Sequence, residues 1–183
     1  MLPWQKNVSL TLANHFLNYI KFFDLQVADL YIVIKKQIKM ESRIDIPKVE
    51  PAAYQAMYGL EKYLSTSKLD PILLELIKMR ASQINGCAFC LNMHSADARK
   101  IGETEQRLYL LNAWRETTLF TPQEEAVLAL TEEVTLISHH VSDATYQKAA
   151  SFFNEQELAQ IIMAIVTINA WNRLAITAKV MVG

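Results

Sequence analysis

Two cysteines stand three positions apart in Cys87-Ala88-Phe89-Cys90, and His94 follows four residues after the second. Asn85-Gly86 just before them is a strong turn signal, so Cys87 falls near the start of a new helix. At about 100° per residue, Cys87, Cys90 and His94 lie within about 60° of one another around that helix. Cys90 and His94 are neighbours one turn apart. The result is a dithiol with a base beside it. A thiolate, not a thiol, attacks a peroxide oxygen or a disulfide sulfur. A helix N-terminus and a nearby imidazole both favour the thiolate. The sulfenic acid that forms is best resolved by a second thiol within disulfide reach, which C-x-x-C supplies.

The histidine needs an orienter to set its tautomer. Glu75 is the candidate. It lies 11 residues before Gly86 and His94 lies 8 after it, so an antiparallel helix pair brings them roughly level. Glu75 could instead pair with Lys78 on a solvated face. Leu73, Leu74, Leu76 and Ile77 flank it on both sides, and periodicity leaves that choice open. Two other readings of the dithiol compete. Two thiolates, an imidazole and a carboxylate could complete a zinc site. Zinc ligands usually come from two separated knuckles, however, and three here share one helix. The cysteines could also be plain core residues. Dithiol redox chemistry is preferred, with no metal expected.

The elements that must position these groups are helices. Asp70-Pro71 and Glu50-Pro51 put proline where a first helical turn tolerates it. Thr121-Pro122-Gln123-Glu124 and Asn154-Glu155-Gln156-Glu157 read as capping boxes. Helices are predicted over about Pro51–Ser65, Pro71–Ile84, Cys87–Lys100, Glu105–Ala113, Pro122–Ile137, Ala144–Phe153 and Glu155–Val180. In the last, Leu158, Ile161, Ile162, Ile165, Val166 and Ile168 recur at helical spacing, as in a central or interface helix. Nothing alternates with period two over a useful length. Residues 1–39 form a predicted N-terminal helical extension, helix-compatible from Leu10 to Ile38 with Phe16, Ile20, Phe23 and Val27 on one stripe. Met40 to Asp45 is charged and loop-like, and residues 40–183 form the domain that carries the dithiol.

Composition sets the outer bounds. The chain has 183 residues with 18 Lys+Arg against 19 Asp+Glu, which gives no electrostatic reason to expect nucleic acid or an anionic membrane. Only 4 Gly and 5 Pro argue against an all-β chain, because sheets need turns. Two cysteines cannot make a disulfide framework. The N-terminus lacks a secretory pattern, and the apolar stretch Ile161–Trp171 ends at Asn172-Arg173, so it reads as a buried helix. A cytoplasmic protein that does not engage membranes is expected.

Glu75, Cys87, Cys90 and His94 at these spacings resemble the signature of the AhpD-type alkylhydroperoxidases, within the carboxymuconolactone decarboxylase-like superfamily. The flanks are similar too: Arg80-Ala81-Ser82-Gln83-Ile84-Asn85-Gly86, Glu103-Thr104-Glu105-Gln106-Arg107-Leu108 and Ile168-Asn169-Ala170-Trp171-Asn172-Arg173-Leu174. The likeness runs from about Met40 to Lys179. It implies an all-α fold assembled as trimers or hexamers. It implies Cys90 as the peroxidatic cysteine, Cys87 as proton donor and resolving cysteine, and His94 with Glu75 as the proton relay. It further implies no bound cofactor and an external dithiol reductant, such as a lipoylated protein. Superfamily members that act as lactone decarboxylases lack the paired cysteines. One position departs: the well-studied peroxidases have histidine immediately before the second cysteine, where this chain has Phe89. An apolar ring there would raise the Cys90 pKa, or shape a site for an apolar hydroperoxide.

The expected function is therefore a thiol peroxidase that reduces a small organic hydroperoxide through a Cys87–Cys90 disulfide cycle. The alternatives are a non-enzymatic helical oligomer with a redox-sensing or zinc-holding dithiol, and a protein dithiol-disulfide oxidoreductase. Outside the dithiol, His139-His140 reads as a loop feature and His15 as a surface residue of the extension. Trp171-Asn172-Arg173 reads as an assembly element whose polar groups meet another chain. Tyr54, Tyr58 and Tyr63 read as packing residues.

Overall fold

A computed structural model describes residues Ser42–Val182, together with the isolated helical positions Tyr19, Lys21, Gln26, Val27 and Asp29. The chain divides into two units, Met1–Glu41 and Ser42–Gly183. The helix expected over Leu10–Ile38, and with it the extension over residues 1–39, lies almost wholly outside the described residues. Within the second unit every regular element is helical, as expected for an all-α fold.

The helices are α1 (Ile46–Val49), α2 (Pro51–Leu64), α3 (Pro71–Asn85), α4 (Ala88–Lys100), α5 (Glu105–Leu110), α6 (Pro122–Thr135), α7 (Asp143–Ala150) and α8 (Glu155–Ala178), with 3-10 segments at Leu111–Glu116 and Ile137–His139. Their starts follow from local chemistry. Asp70 accepts from Leu73 N at 3.0 Å, one of the donors a first turn leaves unpaired. Both expected capping boxes are formed, at Thr121/Glu124 and Asn154/Glu157.

Three elements differ from the sequence reading. The charged, loop-like segment ends at Asp45, which caps a short helix α1 that the sequence reading did not contain and accepts from Lys48 N. The helix expected to reach Ala113 stops at Leu110 and tightens into a 3-10 segment, with Ala113 at non-helical φ −119°, ψ 28°. Trp114 in that segment donates to Glu132 on α6 at 2.9 Å, so a tertiary contact sets the backbone there. The helix expected to reach Ile137 ends at Thr135. Beyond it, His139 and His140 are exposed, and His140 takes a positive φ of 61°.

Helix α3 is the hub of the unit and packs against α4, α6 and α8. One core layer joins Leu73 and Ile77 of α3 to Val127 and Leu130 of α6 and Ile161 and Ile165 of α8. A second joins Leu76 and Met79 of α3 to Leu108, Leu111, Trp114 and Leu128. Burying each large aliphatic side chain contributes about 1.5–3 kcal/mol, so these layers fix where α3 lies. Helix α8 is long and apolar enough by composition to cross a membrane. Its length is explained by packing instead: Ile161, Ala164, Ile165 and Ile168 are at most 2% exposed against its neighbours. The C-terminal end of α8 is tied back to the start of the unit, with Arg43 N donating to Ala178 O at 2.9 Å.

Candidate active site

The site is built on the α3–α4 hairpin. Helix α3 ends at Gly86, which has φ 70° and ψ 32°, a left-handed conformation that glycine adopts without a Cβ penalty. Gly86 N donates to Gln83 O, and Cys87 N donates to Ser82 O at 3.0 Å. This paired pattern is a Schellman end, which pairs the last carbonyls and turns the chain back. Cys87 thereby becomes the N-cap of α4, and its sulfur accepts from Cys90 N at 3.3 Å. Cys90 is in the first turn, where the helix dipole favours a negatively charged sulfur.

Cys87 and Cys90 are joined as a disulfide, with Cα atoms 5.4 Å apart. That separation lies in the ordinary range for a bridge, so α4 accommodates the oxidised pair without unwinding. Both cysteines are buried, at 1% and 2% exposure. Ala81, Ile168 and Ala175 pack around them, with Phe89 and Trp171 against the same cluster. Phe89, the position that departs from the peroxidase pattern, is therefore part of the apolar wall. Trp171 is itself braced by Tyr54 and Tyr58 of α2, with ring centroids 5.2 and 5.5 Å away, and its Nε1 donates to Glu61 at 2.9 Å. Tyr54 and Tyr58 thus pack against Trp171, although Tyr58 and Tyr63 are both exposed.

One turn past Cys90, His94 is buried, and its Nδ1 lies 2.9 Å from Glu75 Oε2. The other oxygen of Glu75 accepts from Lys78 Nζ at 2.9 Å. Both partners considered for Glu75 are therefore present, and neither pairing is on a solvated face: Glu75 is 9% exposed. Burial pushes the Glu75 carboxyl up, but the His94 hydrogen bond and the Lys78 ammonium outweigh it. The carboxyl is held below its ordinary range. Glu75 is thus an anion, and the ring nitrogen facing it carries the proton. In the neutral imidazole with Nδ1 protonated, Nε2 carries the lone pair that a base requires. Among the described residues, no group of three or more His, Cys, Asp or Glu side chains is placed to hold a metal ion.

Beneath the hairpin is a polar network whose extent the sequence did not disclose. Asn85 donates to Asn169 Oδ1 at 2.9 Å and to Asn172 Oδ1 at 2.8 Å. Asn172 donates to Ser82 Oγ at 3.0 Å, and Asn169 donates to Thr135 Oγ1 at 3.0 Å. Arg173 donates to Asn169 O at 2.9 Å. For Asn172, which is fully buried, this corrects the expectation of a partner on another chain; Arg173 is exposed. The same-chain network clamps the C-terminal end of α3 to α8, two residues before Cys87. The available signal was the polar residues within an apolar helix, which require partners when buried.

Comparison with known proteins follows this geometry. The Carboxymuconolactone decarboxylase family profile matches residues 51–133, which include all four residues of the constellation. An uncharacterized protein of Bacillus subtilis, YdfG, is 43% identical over 138 residues, covering 75% of this chain and 94% of its own. A solved structure from Agrobacterium tumefaciens, a protein of unknown function offered as an AhpD antioxidant-defence protein, superimposes with a TM-score of 0.76. It is 38% identical and covers 78% of this chain and 99% of that one. An uncharacterized peroxidase-related protein of Ralstonia eutropha, described as an AhpD core, shares the fold at a TM-score of 0.67 and 17% identity, covering 83% and 82% of the two chains. The chain belongs to the carboxymuconolactone decarboxylase family, in its AhpD-like part.

Proposed function

We propose that this protein is a thiol peroxidase that reduces a small organic hydroperoxide at Cys90. The observation that carries the reading is the Glu75–His94 hydrogen bond, set one turn beyond a Cys87–Cys90 disulfide at the start of α4. In the reduced protein His94 Nε2 accepts the thiol proton and leaves the Cys90 thiolate in the first helical turn. The thiolate attacks the hydroperoxide, an S–O bond forms and the O–O bond breaks. The alkoxide takes a proton and leaves as the alcohol. Cys87 sulfur then attacks Cys90 sulfur, an S–S bond forms, and the S–O bond breaks with release of water after protonation. Two electrons have passed from the dithiol to the peroxide. An external dithiol returns them and reopens the bridge.

The burial of both sulfurs among Phe89, Trp171 and Ile168 favours a small apolar oxidant over a protein disulfide as the reacting partner. By the same argument, the reductant carries its dithiol on a thin arm, as a lipoylated protein does. We take the working form to be a cytoplasmic homo-oligomer, a trimer or hexamer, that engages neither membrane nor nucleic acid.

The test is stoichiometric. Reduced protein is mixed with cumene hydroperoxide, and free thiols are counted beside peroxide consumed. The expected result is loss of both thiols of the chain for each peroxide, reversed by dihydrolipoamide, with no reaction in Cys90→Ser. Thiols that survive an excess of hydroperoxide, or full turnover by Cys90→Ser, would overturn the proposal.

A further inference from the structure

Lys78 lies one turn after Glu75 on α3, and the two side chains are 15% and 12% exposed. A solvated pair at this spacing would contribute only a few tenths of a kcal/mol and would hold neither side chain in place. Here the pair is largely withdrawn from water, and the two oxygens of one carboxylate are divided. Oε1 accepts from Lys78 Nζ and Oε2 faces His94 Nδ1, both at 2.9 Å. The last torsion of a glutamate is broad and roughly two-fold, so a carboxylate held at one point only is free to turn. Grip at Oε1 decides where Oε2 points. That in turn decides which imidazole nitrogen is protonated.

We propose that Lys78 is a positioning residue of the relay: it holds Glu75 so that Oε2 receives His94 Nδ1–H, and His94 Nε2 is left to take the proton of Cys90. This inference rests on the peroxidase reading of the same site. The charged groups facing Lys78 are Glu75 on its own helix and His94 and Asp97 on α4, with Asp97 held by Lys100 at 2.8 Å. In this cluster Lys78 is a cation beside the anion that orients the base. Removing a cation raises the proton affinity of every group around it, so the Cys90 thiol ionises at higher pH without it.

The experiment measures ionisation without any peroxide. In the reduced Cys87→Ser protein Cys90 is the one remaining thiol, and its alkylation rate by iodoacetamide is followed against pH. Adding Lys78→Met is expected to move the midpoint up by about one unit, leaving about tenfold less thiolate at pH values below it. Lys78→Arg keeps a cation and a donor and is expected to restore the midpoint. Where circular dichroism shows that Lys78→Met has not folded, Lys78→Gln carries the same expectation. An unmoved midpoint in the Met or Gln variant, or an Arg variant displaced as far as Met, overturns the proposal. Turnover of cumene hydroperoxide by protein with both cysteines separates the two readings. Turnover with an unmoved midpoint removes Lys78 alone. A moved midpoint without turnover removes the peroxidase reading and leaves Lys78 as the residue that sets the His94 tautomer.

Discussion

Replacing Asn172 by Asp keeps the shape of the side chain and changes one group. Asn172 is fully buried, accepts from Asn85 and donates to Ser82 Oγ. A protonated Asp can reproduce both bonds, its O–H donating where the amide donated. An ionised Asp loses that donor and places a charge in a fully buried site, where its hydrogen-bond partners are a neutral amide and a hydroxyl. The nearest cation in sequence, Arg173, is engaged by Asn169. The carboxyl therefore stays protonated in the fold, while in the unfolded chain it ionises near pH 3.9. The sign follows: the folded state holds a proton that the unfolded state releases, so stability falls as pH rises. At about 1.4 kcal/mol per unit, the loss relative to the parent protein grows from near zero at pH 4 to about 4 kcal/mol at pH 7. That is a large share of an ordinary domain's roughly 5–15 kcal/mol, and it corresponds to a fall in Tm on the order of 10 °C. Urea unfolding of both proteins at each pH, at one protein concentration, measures it. A difference that is flat between pH 4 and 7, or absent at pH 7, would show that the network admits charge and would refute the reasoning.

The remaining predictions concern the hairpin and its supports. Gly86→Ala is expected to cost about 1–2 kcal/mol in urea unfolding, because a Cβ there meets open space but must adopt φ +70°; no loss would mean the turn relaxes. Glu132→Ala removes the acceptor shared by Arg80, Trp114 and Arg115, leaving the largely buried Arg80 without its anion. A loss of about 3 kcal/mol is expected by the same assay. The Glu75 carboxyl is held low, so its contribution to stability is present above its ordinary value near 4.5 and is lost as pH falls through its depressed folded pKa. The stability gap between the parent protein and Glu75→Gln should therefore be widest at neutral pH and close in acid. A gap that widens in acid would contradict the assignment.

Much of the hairpin was legible because its signals are local. Asp70-Pro71 starts α3, Asn85-Gly86 ends it, and a helix of fixed pitch puts Cys87, Cys90 and His94 on one side. Each depends on backbone geometry over a few residues, which residue type controls directly. The short α1 was missed because four residues carry too little periodicity to register. The 3-10 segment at Leu111–Glu116 was missed because Trp114 and Arg115 answer to Glu132, which lies 18 and 17 residues further along the chain.

The choice between His94 and Lys78 as the partner of Glu75 had no answer in one dimension. Leu73, Leu74, Leu76 and Ile77 left two faces of α3 equally suited to burial. The packing of α3 against α4, α6 and α8 turned Glu75 inward and gave each of its oxygens a different cation or donor. Asn172 and Arg173 were legible as polar groups needing partners, but not as members of a network within their own chain. Residue types and their spacing determined the helices, the dithiol and the side of α4 on which its base stands. Tertiary structure decided which buried polar groups meet, because desolvation makes pairing obligatory without naming the partner, and only the packing of distant helices brings a particular one within hydrogen-bond reach.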